Sequence, residues 1–206
     1  VYKRQVLNFA HGHFYMLGAF IYGGLIFLGV HWSLSIMLAG LAMGLLGAIT
    51  WYLVFKPLYY NVLMTVAASI GMGLIMVNGI IVTVGEKDII VPSILSGVIN
   101  IGGVVVSLEK AAIVGFSLVV MLALYYFLRT KVGKAIEATT IDEEAALLQG
   151  INTRQMLVIA LTIGSAMAGI GGAVIVSSLP AQAHMGHPMI IIFLCIVVIA
   201  GHGSIK

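Results

Sequence analysis

The sequence predicts an all-α, polytopic transmembrane helix bundle, and three observations predict it. Of its 206 residues 61% are hydrophobic and 8% are charged, against about 25% charged in soluble domains. Mean hydropathy is +1.15. Charge is also clustered: residues 5–55, 57–85, 89–108, 111–128 and 155–205 hold no Asp, Glu, Lys or Arg. A transmembrane helix needs about 20 mostly apolar residues. The two stretches of 51 residues can each hold two passes, which gives about five full spans and a partial or re-entrant sixth. The net charge of +3 is a bias of loops and no nucleic-acid patch. The single cysteine, Cys195, excludes an internal disulfide framework and is expected to pack in an apolar run.

The elements follow in order. A first helix is expected from about Phe9 to Val30, a break at His31, Trp32 and Ser33, and a second helix to about Phe55. Lys56 and Pro57 are expected to end it, with Trp51, Tyr52, Tyr59 and Tyr60 as an interfacial aromatic belt. A third span covers roughly Asn61 to Gly85 and meets GEKD, residues 85–88, a turn signal. Residues 89–108 alternate β-branched runs with Pro92, Gly97, Asn100, Gly102 and Gly103. That pattern predicts a short external strand-like loop or hairpin, with a broken membrane helix as the other reading. A fourth helix runs from about Ala111 to Leu128 and a fifth from about Gln155 to Ser178. The last apolar run, residues 189–200, has 12 residues and reads as re-entrant or buried. The whole is expected to be one transmembrane permease-like domain truncated at both ends, and residues 1–5 are expected to be non-native.

Eight of the 17 charged residues lie between Arg129 and Arg154. Counting Lys and Arg, Lys56, Arg129, Lys131, Lys134 and Arg154 stand on one side, against Lys87 and Lys110 on the other, so the loop 129–154 is expected to be cytoplasmic. Within it Thr140 and Glu143 have the spacing of a capping box, and Asp142, Glu143 and Glu144 suit the positive end of a helix dipole. Ala145, Ala146, Leu147 and Leu148 propagate a short helix, Gly150 is placed as its C′ residue, and Asn152 or Thr153 caps the next span. Such a helix is either a docking element for another protein or a solvated connector.

Small residues recur every four positions at Gly40, Gly44 and Ala48 and at Gly164, Ala168 and Gly172, as close helix contacts require. The long apolar stretches contain no carboxylate, Lys or Arg, whereas an ion-coupled pump normally keeps ionisable groups inside the membrane. Polar groups in apolar helices are the candidates for a solute path. Asn8 and His11 lie three apart, on one face if helical, and Gly12 permits close backbone approach; the other reading is that they cap and bond between helices. Asn78, and more weakly Thr65 and Ser69, are further candidates. His11 with His13 and His184 with His187 prompt a metal check, but a closed site needs about four ligands, so no metal is expected. His184 and His187 read as an external loop.

GKAIEATTIDEEAALLQGIN, residues 133–152, resembles the cytoplasmic coupling segment of ABC importer permeases. More narrowly, LNFAHGHFYMLGAF (7–20), VLMTVAASIGMGLIMVN (62–78), GEKDIIVPSILSG (85–97) and LLQGINTRQMLVIALTIGSAMAGIGGAVI (147–175) resemble the branched-chain amino-acid ABC permeases of the LivH type. AGHGSIK (200–206) resembles that family's GGxGSIxGA segment, with Ala200 and His202 departing from it. The resemblance implies a permease subunit with no enzymatic chemistry of its own, working by alternating access in a bacterial or archaeal inner membrane. The implied partners are a second related permease, two cytoplasmic ATP-binding subunits that bind the ATP and Mg, and a periplasmic or lipid-anchored substrate-binding protein. Residues 141–150 would dock into the ATPase, through Asp142, Glu143, Glu144, Ala145, Ala146 and Gly150, and Asn8, His11 and Gly12 would match the family's NFAHG signature. Urea or short-chain amides are alternative solutes. A secondary transporter or channel, and a membrane scaffold, are competing classes.

Overall fold

The computed structural model describes residues 9–59, 61–92, 97–101 and 104–200. The helices are α1 (His11–Phe27), α2 (Trp32–Thr50), α3 (Lys56–Leu58), α4 (Val62–Thr83), α5 (Leu108–Leu128), α6 (Lys131–Ile141), α7 (Glu143–Leu148), α8 (Thr153–Ile175) and α9 (Gly186–Ala200). A π-helical turn, Trp51–Phe55, joins α2 to α3 without a break. Among the described residues four helical stretches, Trp32–Leu58, Val62–Thr83, Leu108–Leu128 and Thr153–Ile175, are long and apolar enough to cross a bilayer, where about five full spans are expected. Helices are what such sequence must form in lipid, because the backbone has no water to bond and satisfies itself within the segment.

Two expected boundaries move. The first span, expected over 22 residues from Phe9 to Val30, is α1, of 17 residues. The second helix passes through Lys56 and Pro57 to Leu58. A proline ring clashes with the carbonyl four residues back in a regular α-helix, here that of Leu53. Leu53 lies in the π turn, whose wider spacing lets the helix continue past the proline.

The core is an interlock of α1, α2 and α8. A Cβ on Gly40 would lie 2.6 Å from Ile170, and one on Gly44 would lie 3.3 Å from Ala166, so the α2 stripe packs on α8. Gly47, on that face, abuts Ser165, whereas Ala48 is only partly buried. Gly18 of α1 meets the Gly169 backbone, and Gly172 meets the Tyr15 carbonyl. Between these contacts Phe14, Met16, Tyr22 and Met43 are fully buried. In lipid the driving force is close packing of backbones, since a leucine gains little by leaving hydrocarbon. The outward faces of α2, α4 and α5 accordingly expose Leu41, Leu45, Leu63, Ile75 and Leu122. Cys195 is exposed as well, so the expected packing role does not hold.

At one end of the bundle lies the expected hairpin. β1 (Val98–Ile101) pairs antiparallel with β2 (Val104–Ser107), in register from Val98↔Ser107 to Ile101↔Val104. At the same end, Ile89 and Ala181 exchange both backbone hydrogen bonds. The Gln182 amide donates to Asp88 Oδ2 at 3.0 Å.

The other end carries the charged segment, which holds two helices where one is expected. Thr130 caps α6 by accepting from the Gly133 N–H at 3.3 Å. A side chain at Gly133 would collide with the backbone of Phe127 and Leu128, which fixes the tight α5–α6 corner. Thr140 therefore lies inside α6, its hydroxyl donating to the Glu137 carbonyl at 2.8 Å. The capping box is replaced by Asp142, whose Oδ1 accepts from the N–H groups of Glu144 and Ala145, each at 3.0 Å. An aspartate directly before the helix reaches these donors without the reciprocal bond that a box requires.

Candidate functional site

Two places combine polar groups with a geometry that packing alone does not demand. The first is at the middle of the bundle. Gly73 is the twelfth of the 22 residues of α4 and Gly164 the twelfth of the 23 of α8, about 16 Å along each helix at 1.5 Å per residue. His13 lies against the first, because a Cβ on Gly73 would sit 2.5 Å from the imidazole. His11 lies beside the second, with Cε1 3.9 Å from the Cβ position of Gly164. α1 thus begins at mid-depth and runs towards the hairpin end, where Gly23 faces Ile89 and Val91.

The N-terminus of α1 is held there by α4 and α9. The Phe9 N–H donates to the buried Ser69 Oγ at 3.2 Å, and that hydroxyl donates to the Val66 carbonyl. α9 approaches so closely that a Cβ on Gly12 would be 2.5 Å from the Gly186 carbonyl oxygen. Gly12 is therefore needed for that approach. His11 makes an edge contact with Phe193 at 4.9 Å between centroids, and His13 one with His187 at 5.2 Å.

The structure gathers some of the expected path residues and separates others. His11 and Gly12 are in the cluster, joined by Ser69. Asn8 lies outside the described residues, as do residues 1–5, Tyr60 and residues 201–206. Asn78 is exposed and its amide donates to the Leu74 carbonyl at 2.8 Å, so it does not join. Thr65 bonds back to the carbonyls of Leu58 and Asn61, a structural use of a helix threonine. His187 is no external loop residue: it opens α9 and faces His13. His13, Gly73 and Gly186 were not singled out as path residues by the sequence. The available signal was a second polar residue in the NFAHGH run beside a glycine-rich α4. Among the described residues no group of three His, Cys, Asp or Glu side chains is placed to hold a metal.

The second place is α7. Its C-terminus closes as a full Schellman motif: the Gly150 N–H donates to the Leu147 carbonyl at 2.9 Å and the Ile151 N–H to Ala146 at 3.1 Å. Gly150 has φ of +81°, the left-handed conformation this cap requires. Asn152 then caps α8 by accepting from the Gln155 N–H. Glu143 ties α7 to two other elements. Its Oε2 accepts from Tyr59 at 2.9 Å and its Oε1 from Thr153 at 3.4 Å. Asp142, Glu144, Ala145 and Gly150 are exposed, Ala146 is buried, and Leu147 and Leu148 project outward, Leu148 being 90% exposed. Beside this tie Trp51 packs edge-on to Tyr59 at 5.6 Å and Lys56 Nζ lies 5.6 Å from the Tyr52 ring. Of the residues expected as a belt, Trp51, Tyr52 and Tyr59 lie at the charged end, Trp51 being buried.

Comparison with known proteins concerns the chain as a whole. The chain is 29% identical over 186 residues to the high-affinity branched-chain amino acid transport system permease protein LivH of Salmonella typhimurium. It is 28% identical to LivH of Escherichia coli and 27% to BraD of Pseudomonas aeruginosa, a permease protein described in the same terms. Each alignment covers 82% of this chain and 60% or 61% of the relative, so the chain spans about 60% of the length of the curated relatives it matches. No solved structure matches. The profile of the family described as branched-chain amino acid transport system / permease component matches residues 1–206. The chain belongs to that family of transport permeases.

Proposed function

We propose that this chain is a membrane-spanning permease subunit of an ATP-driven importer for branched-chain or other hydrophobic amino acids. It forms part of the translocation path and couples to cytoplasmic ATPases through α7. The reading is supported by family membership and by the similarity to the LivH and BraD permease proteins. The observation that carries the coupling role is α7 itself. A six-residue helix is far below the length at which helices are stable alone, yet here it is capped at both ends, tied to the bundle through Glu143, and presents two exposed leucines. A solvated connector has no need of all three.

The charged end is then cytoplasmic and the hairpin end periplasmic, in a bacterial or archaeal inner membrane. ATP and Mg are bound by two partner subunits, a second related permease completes the membrane part, and a binding protein delivers the solute at the hairpin end. His11, Gly12 and Ser69, at mid-depth, lie on the solute path.

The test is uptake by proteoliposomes holding the full-length protein with its partner permease and ATPases. Radiolabelled leucine, isoleucine and valine are expected to accumulate only with ATP on the α7 side and binding protein on the other. Uptake without ATP, driven by an ion gradient, would overturn the reading.

A further inference from the structure

α1 and α9 both begin at mid-depth, and they run antiparallel from their meeting point. Gly186 and Ile190 of α9 lie against Gly12, whereas Phe193, further along, lies against His11. Glycines at both starts bring the backbones together: a Cβ on Gly186 would lie 2.9 Å from the Gly12 carbonyl oxygen. Each helix start carries backbone N–H groups without intrahelical partners and the positive end of a helix dipole. Every Asp and Glu of the chain lies at residues 86–88, at 109 or in 137–144, so no acidic side chain within the apolar segments balances these two positive ends.

Between them sits His13. Its side chain is only 4% exposed, and among the described residues neither Nδ1 nor Nε2 closes a well-formed hydrogen bond, the Phe9 backbone bearing on the ring more loosely. The Cδ2 edge of the ring faces the start of α9, 3.3 Å from the Cβ position of Gly186, while Nδ1 and Cε1 lie 2.5 Å from the Cβ position of Gly73 in α4; the His187 ring is 5.2 Å away. His184 continues the line towards the hairpin end, 5.7 Å from His187. A buried polar group without a well-formed hydrogen bond is uncommon and calls for a ligand or a functional reason.

We propose that His13 and His187 bind the carboxylate of the transported amino acid at mid-membrane, each donating an imidazole N–H to it. The inference rests on the importer reading above and assigns a subsite within it. A neutral imidazole has one N–H to donate, and two rings at this separation offer donors to the two oxygens of one carboxylate. The two helix starts add favourable potential for an anion and oppose a cation.

The experiment uses the purified complete transporter, titrated with L-leucine and with L-leucinamide, which differ only at the carboxylate. The wild type is expected to bind leucine at least tenfold more tightly. His13→Gln and, separately, His187→Gln are expected to weaken leucine at least tenfold, leave leucinamide within twofold, and so erase the preference. His187 is exposed, so its variant decides the matter even where His13→Gln fails to assemble. A preference that survives in the variants, equal weakening of both ligands, or a wild type that imports leucine without preferring it in binding would each overturn the carboxylate site. A wild type that imports no amino acid into proteoliposomes would overturn the importer reading instead.

Discussion

Tyr59 donates its hydroxyl to Glu143 Oε2 at 2.9 Å across 84 residues of sequence. The bond joins the end of the second spanning helix to the first turn of α7. Thr153, on the other oxygen, adds the start of α8. One carboxylate thus holds three elements together, and a push on α7 reaches two spanning helices through it.

Tyr59→Phe is therefore expected to loosen this junction. A hydrogen bond to a charged group contributes about 1.5–3 kcal/mol when well formed, and partial exposure here reduces that to about 1 kcal/mol. Thermal unfolding of the purified complex should shift down slightly, while solute imported per ATP hydrolysed should fall at least twofold. An unchanged ratio would remove the bond from the coupling path.

Gly150 and Gly71 make different predictions for the same kind of change. Gly150→Ala forces a Cβ into a left-handed conformation, which costs about 1–2 kcal/mol, and should fray the end of α7. Its readout is faster proteolysis between residues 141 and 152. At Gly71 nothing lies within 4 Å of a new Cβ, so Gly71→Ala should be neutral or gain up to about 1 kcal/mol from helix propensity.

Gly73 differs from Gly71 by half a turn of α4. A Cβ there meets the His13 ring at 2.5 Å, and overpacking of this kind costs about 1–3 kcal/mol. Gly73→Ala should lower thermal stability and uptake together, with His13 displaced from its seat. Equal behaviour of the Gly71 and Gly73 variants would contradict the placement of α1 at mid-depth.

Topology gives a fourth prediction. Lys87 belongs to the hairpin end and Arg154 to the start of α8, so Lys87→Cys and Arg154→Cys should react with a membrane-impermeant thiol reagent from opposite sides. Cys195 is exposed on α9 and should be replaced by Ser in both variants. Labelling from one side alone would break the orientation.

What could be read from sequence was local. Of the roughly five spans expected, four could be read from the long charge-free windows, and Gly150, with Asn152 or Thr153, marked the boundaries of α7 and α8, because a left-handed cap and an N-cap are decided by adjacent residues. The β-branched runs around 97–107 gave the hairpin for the same reason. Thr140 misled because a hydroxyl three residues before a glutamate fits a box equally well inside a preceding helix, and only the observed extent of α6 decides between them. The Lys56–Pro57 stop came slightly early, the helix running one residue further to Leu58 because a π turn upstream absorbs the proline. The mid-depth cluster was half legible: His11 and Gly12 share a turn, whereas His13 takes its meaning from α4 and α9, which sequence spacing does not bring near.

The proposed importer depends on the grip of α7 on the ATPase. The most direct measurement is retention of co-expressed ATP-binding subunits on the tagged full-length protein through purification in mild detergent. Two variants accompany it: Glu143→Lys with Glu144→Lys, and Leu148→Glu. The intact protein is expected to retain the ATPases, and each variant to lose them at least tenfold while the partner permease stays bound. Retention unchanged in both variants, or an intact complex that never holds the ATPases, would contradict that grip.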